Sequence, residues 1–332
     1  LLFHSYASTV MTDRCQNDRS DPFGVSPSPM KLHHFRDVVA IAERGSLRAA
    51  ARYLKLAQPA LTRSLGELER ELGTPLFERQ ARGMIPTPMG RTFIERACAI
   101  LHEVRRAQED IEQQQGGVQG SVTVGLSIAP HIAVLPKALA AFRARYPGVR
   151  LHVIEGFYTT LESGLKDGSV DFFIGPAPGV PVSAGLAQDK LAANLRVVLC
   201  RQGHPLASAG SLAELTGAEW ATNSITLRAE EEMGELFERH HLPQPRLALR
   251  SQSALTLLVT LTHSDLLAMV PVQWLQFAPV RESLTHIPVR EILPAPDIVL
   301  IRRAGAALTP AAIFLLELMC NATREGGLLN GR

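Results

Sequence analysis

The stretch GSLRAAARYLKLAQPALTRSLGELERELG, Gly45 to Gly73, constrains what this chain can fold into more than any other. It reads as two short helices with a tight break between them. The first spans Ser46 to Leu54, with Ser46 placed to cap its start and with Ala49, Ala50 and Leu54 on one face. Lys55-Leu56-Ala57 is the break. The second begins at Gln58-Pro59, where proline is tolerated because the first N–H of a helix has no partner to lose. Leu61, Leu65, Leu68 and Leu72 then make an apolar stripe, with Gln58, Thr62, Arg63 and Glu67 off it. Small residues in the first helix let the second cross it closely. A helix-turn-helix needs this, because its second helix must reach into a major groove about 12 Å wide. Glutamine can bond adenine edges, arginine can fork onto guanine or phosphate, and threonine can reach phosphate or a thymine methyl. Gln58, Pro59, Thr62, Arg63 and Ser64 are therefore the candidate DNA contacts of this helix. Two amphipathic helices of an ordinary core would show the same apolar spacing.

Charge supports the first alternative. The whole chain of 332 residues carries a net charge of only +2. Between Lys31 and Pro88, however, ten Lys and Arg face six acidic residues. A small basic module on a nearly neutral body suits a binder of phosphate backbone that also does something else. A hydrophobic content of 46% supports real cores, and the length allows two or three domains. Cys15, Cys98, Cys200 and Cys320 lie far apart without CxxC or CxxH spacing, so no zinc site, other metal site or disulfide framework is expected, and a reduced, cytoplasmic setting fits. No run of 18 apolar residues suggests a membrane span. Residues 1–29 show no basic region followed by an apolar core, and their polar, proline-containing composition predicts a disordered extension. Met30 reads as a more natural start than Leu1.

The remaining chain reads in order. A helix over Lys31–Arg44 precedes the pair. After Gly73, Leu76-Phe77 and Met84-Ile85-Pro86 read as two short strands around a turn at 80–83, a hairpin wing with Arg79 and Arg82 near its tip. Arginines there could enter a minor groove or sit on phosphates; for Arg82 a solvated loop is the alternative. Thr87-Pro88 is a helix start, and the helix reaches Gln115 with Ile94, Ala97, Leu101, Val104, Gln108 and Ile111 in a heptad-like seam. Such a helix, about 42 Å long at 1.5 Å per residue, reads as a dimerising linker. Strands over 121–126, 149–156 and 170–175, separated by helices over 129–145 and 161–167, form a βαβαβ unit and predict a parallel sheet with helices on both faces. A second alternating set begins at Leu195 and ends in a helix from Thr309-Pro310 to Asn321. Two such sets suggest a hinged two-lobe domain. His33-His34 and His240-His241 diverge on a helix and make poor chelators, and Glu230-Glu231-Glu232 reads as a solvated helix start. No nucleophile elbow or P-loop is present.

In RGSLRAAARYLKLAQPALTRSLGELERELGTPLFER, followed by PTPMG and the long helix, the chain resembles the LysR-type transcriptional regulators. The resemblance implies an all-α N-terminal module and an α/β body. The N-terminal extension would be 1–29. A winged helix-turn-helix would occupy 30–88, with its motif at 47–66, and a linker and dimerisation helix 89–117. A two-lobed, periplasmic-binding-protein-like effector domain would occupy 120–323, with lobe I at 120–192 and 297–323 and lobe II at 193–296. It further implies double-stranded promoter DNA, a small-molecule effector and RNA polymerase as partners, a homodimer through 89–115, a homotetramer, and neither enzymatic activity nor a cofactor. Segments such as 231–271 are similar to members that sense aromatic carboxylates or sulfonates. An enzyme or a solute-binding protein with the N-terminal helices as a dimerisation module is the rival reading, disfavoured by the lack of an acid/base or nucleophile motif and of a signal peptide.

In open α/β sheets, ligands bind outside the carboxyl ends of strands. That rule selects Ser127, Ile128 and Ala129, then Tyr158 and Thr159, Thr222, Asn223 and Ser224, with Pro176 and Ser253 at comparable strand ends. The more common use of each such hydroxyl is a plain helix cap. One residue departs from the family pattern: Ala57 stands where relatives carry a serine that caps the recognition helix. Ala57→Ser is expected to tighten DNA binding by up to about fivefold, since a lost cap costs about 1 kcal/mol. Equal affinities at matched salt would contradict this.

Overall fold

The computed structural model describes residues 30–81, 83–223 and 228–324. The expectations for 1–29, Arg82 and Ser224 lie outside the described residues. The chain divides into two compact units at Cys98/Ala99.

The first unit holds α1 (Leu32–Arg44), α2 (Leu47–Leu54), α3 (Gln58–Leu72), a hairpin of β1 (Phe77–Gln80) and β2 (Gly83–Pro86), and the beginning of α4 (Pro88–Gln114). Ser46 caps α2 by accepting from the Ala49 N–H at 3.2 Å. The helices pack around Val38, Ile41, Ala50, Leu61, Leu68 and Leu76. Ala50 is wholly buried, which is the close crossing its small side chain allows. The hairpin is antiparallel, with Phe77 opposite Pro86 and Gln80 opposite Gly83. It is fastened at three places. The Glu69 carboxylate accepts from the Leu76 N–H at 2.7 Å, the Met84 N–H donates to the Gly45 carbonyl at 2.8 Å, and the Thr87 hydroxyl donates to the Pro75 carbonyl at 2.8 Å. Thr87 also caps α4 through the Gly90 N–H. Gly90 is the one residue type that fits there: a Cβ on it would stand 1.9 Å from the Leu76 carbonyl oxygen.

The second unit begins within α4 and continues with β3 (Gln119–Leu126), α5 (Ile128–Ala133), α6 (Leu135–Arg145), β4 (Gly148–Glu155), α7 (Tyr158–Asp167), β5 (Phe172–Pro176) and β6 (Leu186–Arg201). A 3₁₀ turn at Leu212–Leu215 precedes β7 (Glu219–Asn223), α8 (Arg228–Arg239), β8 (Arg246–Ser251), α9 (Ala254–Thr262) and β9 (Leu267–Pro271). Another at Val272–Gln276 leads to α10 (Ala278–Ser283), β10 (Leu284–Ile287), β11 (Pro294–Arg303) and α11 (Pro310–Ala322). The strand order is β4-β3-β5-β11-β6-β9-β7-β8, with β10 also on β6. β3, β4 and β5 are parallel, as are β7, β8 and β9. β11 and β6 run antiparallel to their neighbours, so the sheet is mixed rather than wholly parallel.

Three further differences from the sequence expectations have local causes. The helix expected over 129–145 is two helices meeting at Val134. Pro136 has no N–H for the preceding turn and its ring crowds the carbonyl four residues back. β6 starts at Leu186 rather than Leu195, and β11 starts at Pro294; the added stretch of β6 is mostly polar or small and lacks strand alternation, but pairs along β11. α10 and the turn before it were not anticipated.

From Ala99 onward, α4 is fastened to the rest of the second unit by buried polar groups. Arg106 Nη2 donates to the Gly168 carbonyl at 2.6 Å and lies 3.0 Å from the Asp171 carboxylate, which also accepts from the Thr123 N–H. Burial lowers the Arg106 pKa and raises that of Asp171, and each charge offsets the penalty on the other. The buried Gln113 amide donates to the Gln119 carbonyl and accepts from the Ala311 N–H at the start of α11.

Candidate nucleic-acid interface and ligand cleft

In the first unit, α3 presents its start to solvent. Gln58, Pro59 and Arg63 are exposed, and Thr62 is half-buried. The Thr62 hydroxyl donates to the Gln58 carbonyl at 3.0 Å, so it is engaged within α3. Arg79 is exposed on β1. Ala57 makes no side-chain cap, and Pro59 lies in the first turn as the sequence implied.

Ser64 requires a correction. It is buried, and its hydroxyl donates to Asp37 of α1 at 2.7 Å. Asp37 is itself buried and is paired on its other oxygen with Arg36 at 3.0 Å. Ser64 therefore clamps α3 onto α1 from inside and is turned away from any groove.

In the second unit, a cavity of about 180 Å³ opens at the carboxyl ends of β3, β5, β7 and β9. Ser127, Ile128, Ala129, Tyr158, Thr159, Pro176, Thr222 and Asn223 all line it. The structure thus brings together eight expected residues from four separate segments. Ser127 does not serve as a helix cap: its hydroxyl is buried, makes no cap bond to α5 and has no partner among the described residues. The Tyr158 hydroxyl is already engaged, accepting from the Ser183 N–H at 3.0 Å, so Tyr158 offers its ring. Ser253 is a second correction. It is exposed, stands outside the cavity and caps α9 through the Thr256 N–H. Its strand, β8, lies beyond β7, the last strand on that side whose end lines the cavity.

The structure adds residues that sequence reasoning missed. Arg196 on β6 and Glu232 on α8 form an ion pair inside the cavity, and Arg196 also donates to the Pro294 carbonyl at 2.9 Å. Glu232 is thus half-buried rather than freely solvated as its acidic run suggested, and its neighbour Met233 is buried. Trp274 lines the cavity with a buried indole N–H that has no partner among the described residues, and Asn223 Oδ1 is in the same condition. Asn194 is committed elsewhere, accepting from Gln273 Nε2 at 3.1 Å. Met269, Val270 and Pro271 supply apolar wall. No group of His, Cys, Asp or Glu suited to a metal occurs among the described residues.

Residues 32–91 match the family model of the bacterial regulatory helix-turn-helix protein, lysR family, and residues 115–323 match the LysR substrate binding domain. The chain belongs to the LysR family. It is 30% identical over 279 residues to the HTH-type transcriptional regulator GalR of Pseudomonas putida, covering 84% of this chain and 70% of that one. It is 28% identical over 287 residues to the SDS degradation transcriptional activation protein of a Pseudomonas species, covering 85% and 92%. The fold matches the crystal structure of CbnR, a LysR family transcriptional regulator, with a TM-score of 0.65 at 22% identity over 89% of this chain and 99% of that one. It also matches full-length CbnR complexed with its target DNA, with a TM-score of 0.64 at 23% identity over 88% and 100%. This LysR-type protein is accordingly a DNA-binding transcription regulator with a substrate-binding domain, not an enzyme.

The Ser64 geometry has a direct test. Ser64→Ala leaves a buried Asp37 oxygen unsatisfied and should lower stability by about 1–3 kcal/mol. DNA affinity at temperatures where the variant is folded should be unchanged. Thermal melting together with anisotropy on a DNA fragment measures both, and a loss of affinity without loss of stability would return Ser64 to the interface.

Proposed function

We propose that this LysR-type regulator binds promoter DNA through the outer start of α3 and the hairpin, and responds to a small anionic effector, an aromatic carboxylate or sulfonate, held in the cleft. Gln58, Thr62 and Arg63 read bases and nearby phosphates, with Arg79 and Arg82 on the flanking backbone. The observation that carries the effector reading is the buried Ser127 hydroxyl at the end of β3, which has no partner among the described residues. A buried polar group without a partner costs about 1–3 kcal/mol, so a ligand acceptor is the natural completion. The Trp274 indole N–H offers a second donor, and Tyr158, Met233 and Met269 supply an apolar lining suited to a ring.

Effector control follows from how the two lobes are joined. β6 and β11 run between them, and the β11–β6 register shifts between Ala295 and Ile298, where Pro296 cannot donate to the ladder. A ligand touching both lobes there biases their relative setting by its differential affinity for the two states. We further propose that the protein acts as a dimer through α4 within residues 89–115, as a tetramer of such dimers, and in the cytoplasm with RNA polymerase as the partner that reads promoter occupancy. Exposed Ile100 and Ile111 and the exposed Gln108 support a helix face left for a partner. Ala97 is wholly buried by its own chain and leaves the expected seam. Among the described residues no helix is long and apolar enough to cross a membrane.

Gel-shift titration on the DNA upstream of its own coding region should give a salt-sensitive, sequence-preferring complex; its absence at any protein concentration contradicts the promoter reading. Benzoate and benzenesulfonate should raise the melting temperature of the wild type. Ser127→Ala should weaken that binding by roughly ten- to a hundred-fold, the worth of a hydrogen bond to a charged group. An unchanged affinity in the variant would place the anion elsewhere.

A further inference from the structure

The charge inside the cleft narrows the effector beyond "anionic". Among the described residues that line it, Arg196 and Glu232 are the charged ones, and they are paired with each other. Their side chains are 16% and 23% exposed, so the pair is neither freely solvated nor sealed. Arg196 is held from both sides of its residue. Its backbone N–H donates to the Leu293 carbonyl at 2.8 Å, its guanidinium to the Pro294 carbonyl at 2.9 Å and to Glu232. Glu232 is held by that guanidinium and by α8, whose next residue, Met233, is buried.

Among the described residues, the lining therefore carries one charge of each sign. A plain monoanion placed on Arg196 would sit beside a second negative charge, and such repulsion is large in a half-buried site. The neutral donors carry no such conflict. Ser127 Oγ in lobe I and Trp274 Nε1 in lobe II are both buried and without a partner among the described residues, and both line the cleft. They are the groups suited to the acid end of a ligand. A fixed carboxylate, stripped of part of its water and aimed at the same cavity, is suited to a donor.

We infer that the effector is an aromatic acid carrying a hydroxyl or amino donor away from its acid group, and that Glu232, positioned by Arg196, accepts from that donor. This rests on the cleft being an aromatic-acid site. Glu232 is then the residue that separates substituted from unsubstituted acids. A ligand without the donor covers the carboxylate and returns no bond to it. Sites built to pair with a hydroxyl or amine reject analogues lacking it more strongly than apolar pockets reject a missing methylene.

Calorimetric titration of the full-length protein with benzoate, 3- and 4-hydroxybenzoate, and 3- and 4-aminobenzoate tests it. In the wild type at least one substituted acid should bind about tenfold or more tighter than benzoate. In Glu232→Met that advantage should fall to within about threefold, because the acceptor is gone. In Glu232→Gln, which keeps a neutral acceptor and carries the test if the methionine variant does not fold, the advantage should shrink to an intermediate value. Equal wild-type affinities for benzoate and all substituted acids overturn the inference alone. So does an advantage that survives in both variants while every acid binds tighter, because Glu232 would then only be occupying Arg196. Binding of none of the acids overturns the aromatic-acid reading of the cleft and this inference with it.

Discussion

The second unit depends on one pairing, the antiparallel ladder between β6 and β11, which runs from Leu186 opposite Arg303 to Leu195 opposite Pro294. Each strand is longer than one lobe requires. Past this ladder, β6 continues into pairing with β9 and β10, so one continuous strand belongs to both halves of the sheet. The parallel sets β3–β4–β5 and β7–β8–β9 are thereby joined through strands that share their hydrogen bonds. The cleft is where β3, β5, β7 and β9 end against that joint, and Asn194, Arg196, Ala295, Pro296 and Ile298 of the joint form its floor. The walls of the cleft therefore come from both parallel sets and from the strands between them.

The first unit depends on a different constraint, the seating of α3. Leu61, Leu65 and Leu68 bury its apolar side, and the Ser64–Asp37 bond fixes it against α1 from within. The hairpin is fastened at Glu69 of the same helix and at Gly45 of the turn before α2. Recognition helix and wing are thus referred to one small core. Rigid mutual placement of this kind is what groove reading by a few side chains demands.

How much of this was legible in the sequence varies with the range of the interaction. Helix periodicity, caps and turn residues are local, so α1 to α3, the hairpin and most strands were readable to within a few residues. The strand-end rule found eight cleft residues because it is a property of each strand taken singly. It failed at Ser253 because it does not say which strand ends converge on one cavity, and the Ser253 hydroxyl is used to cap α9 instead. Ser64 was misassigned although it sits three residues after Leu61 and four before Leu68, inside the apolar stripe; Asp37, 27 residues away, is what makes a serine acceptable there. Arg196, Glu232 and Trp274 were invisible as a group. They come from a strand, a helix and a 3₁₀ turn that meet only through the sheet topology.

The central claim is that occupancy of the cleft changes how the protein holds DNA. A promoter fragment labelled with a donor and an acceptor dye at its two ends, bound by the full-length protein and titrated with 3-hydroxybenzoate, reports this through energy transfer. The account predicts a change in transfer that saturates with the same midpoint as binding to the cleft, and that moves to higher concentration in Ser127→Ala in step with its weaker binding. Energy transfer that stays constant while the acid saturates the cleft would contradict it.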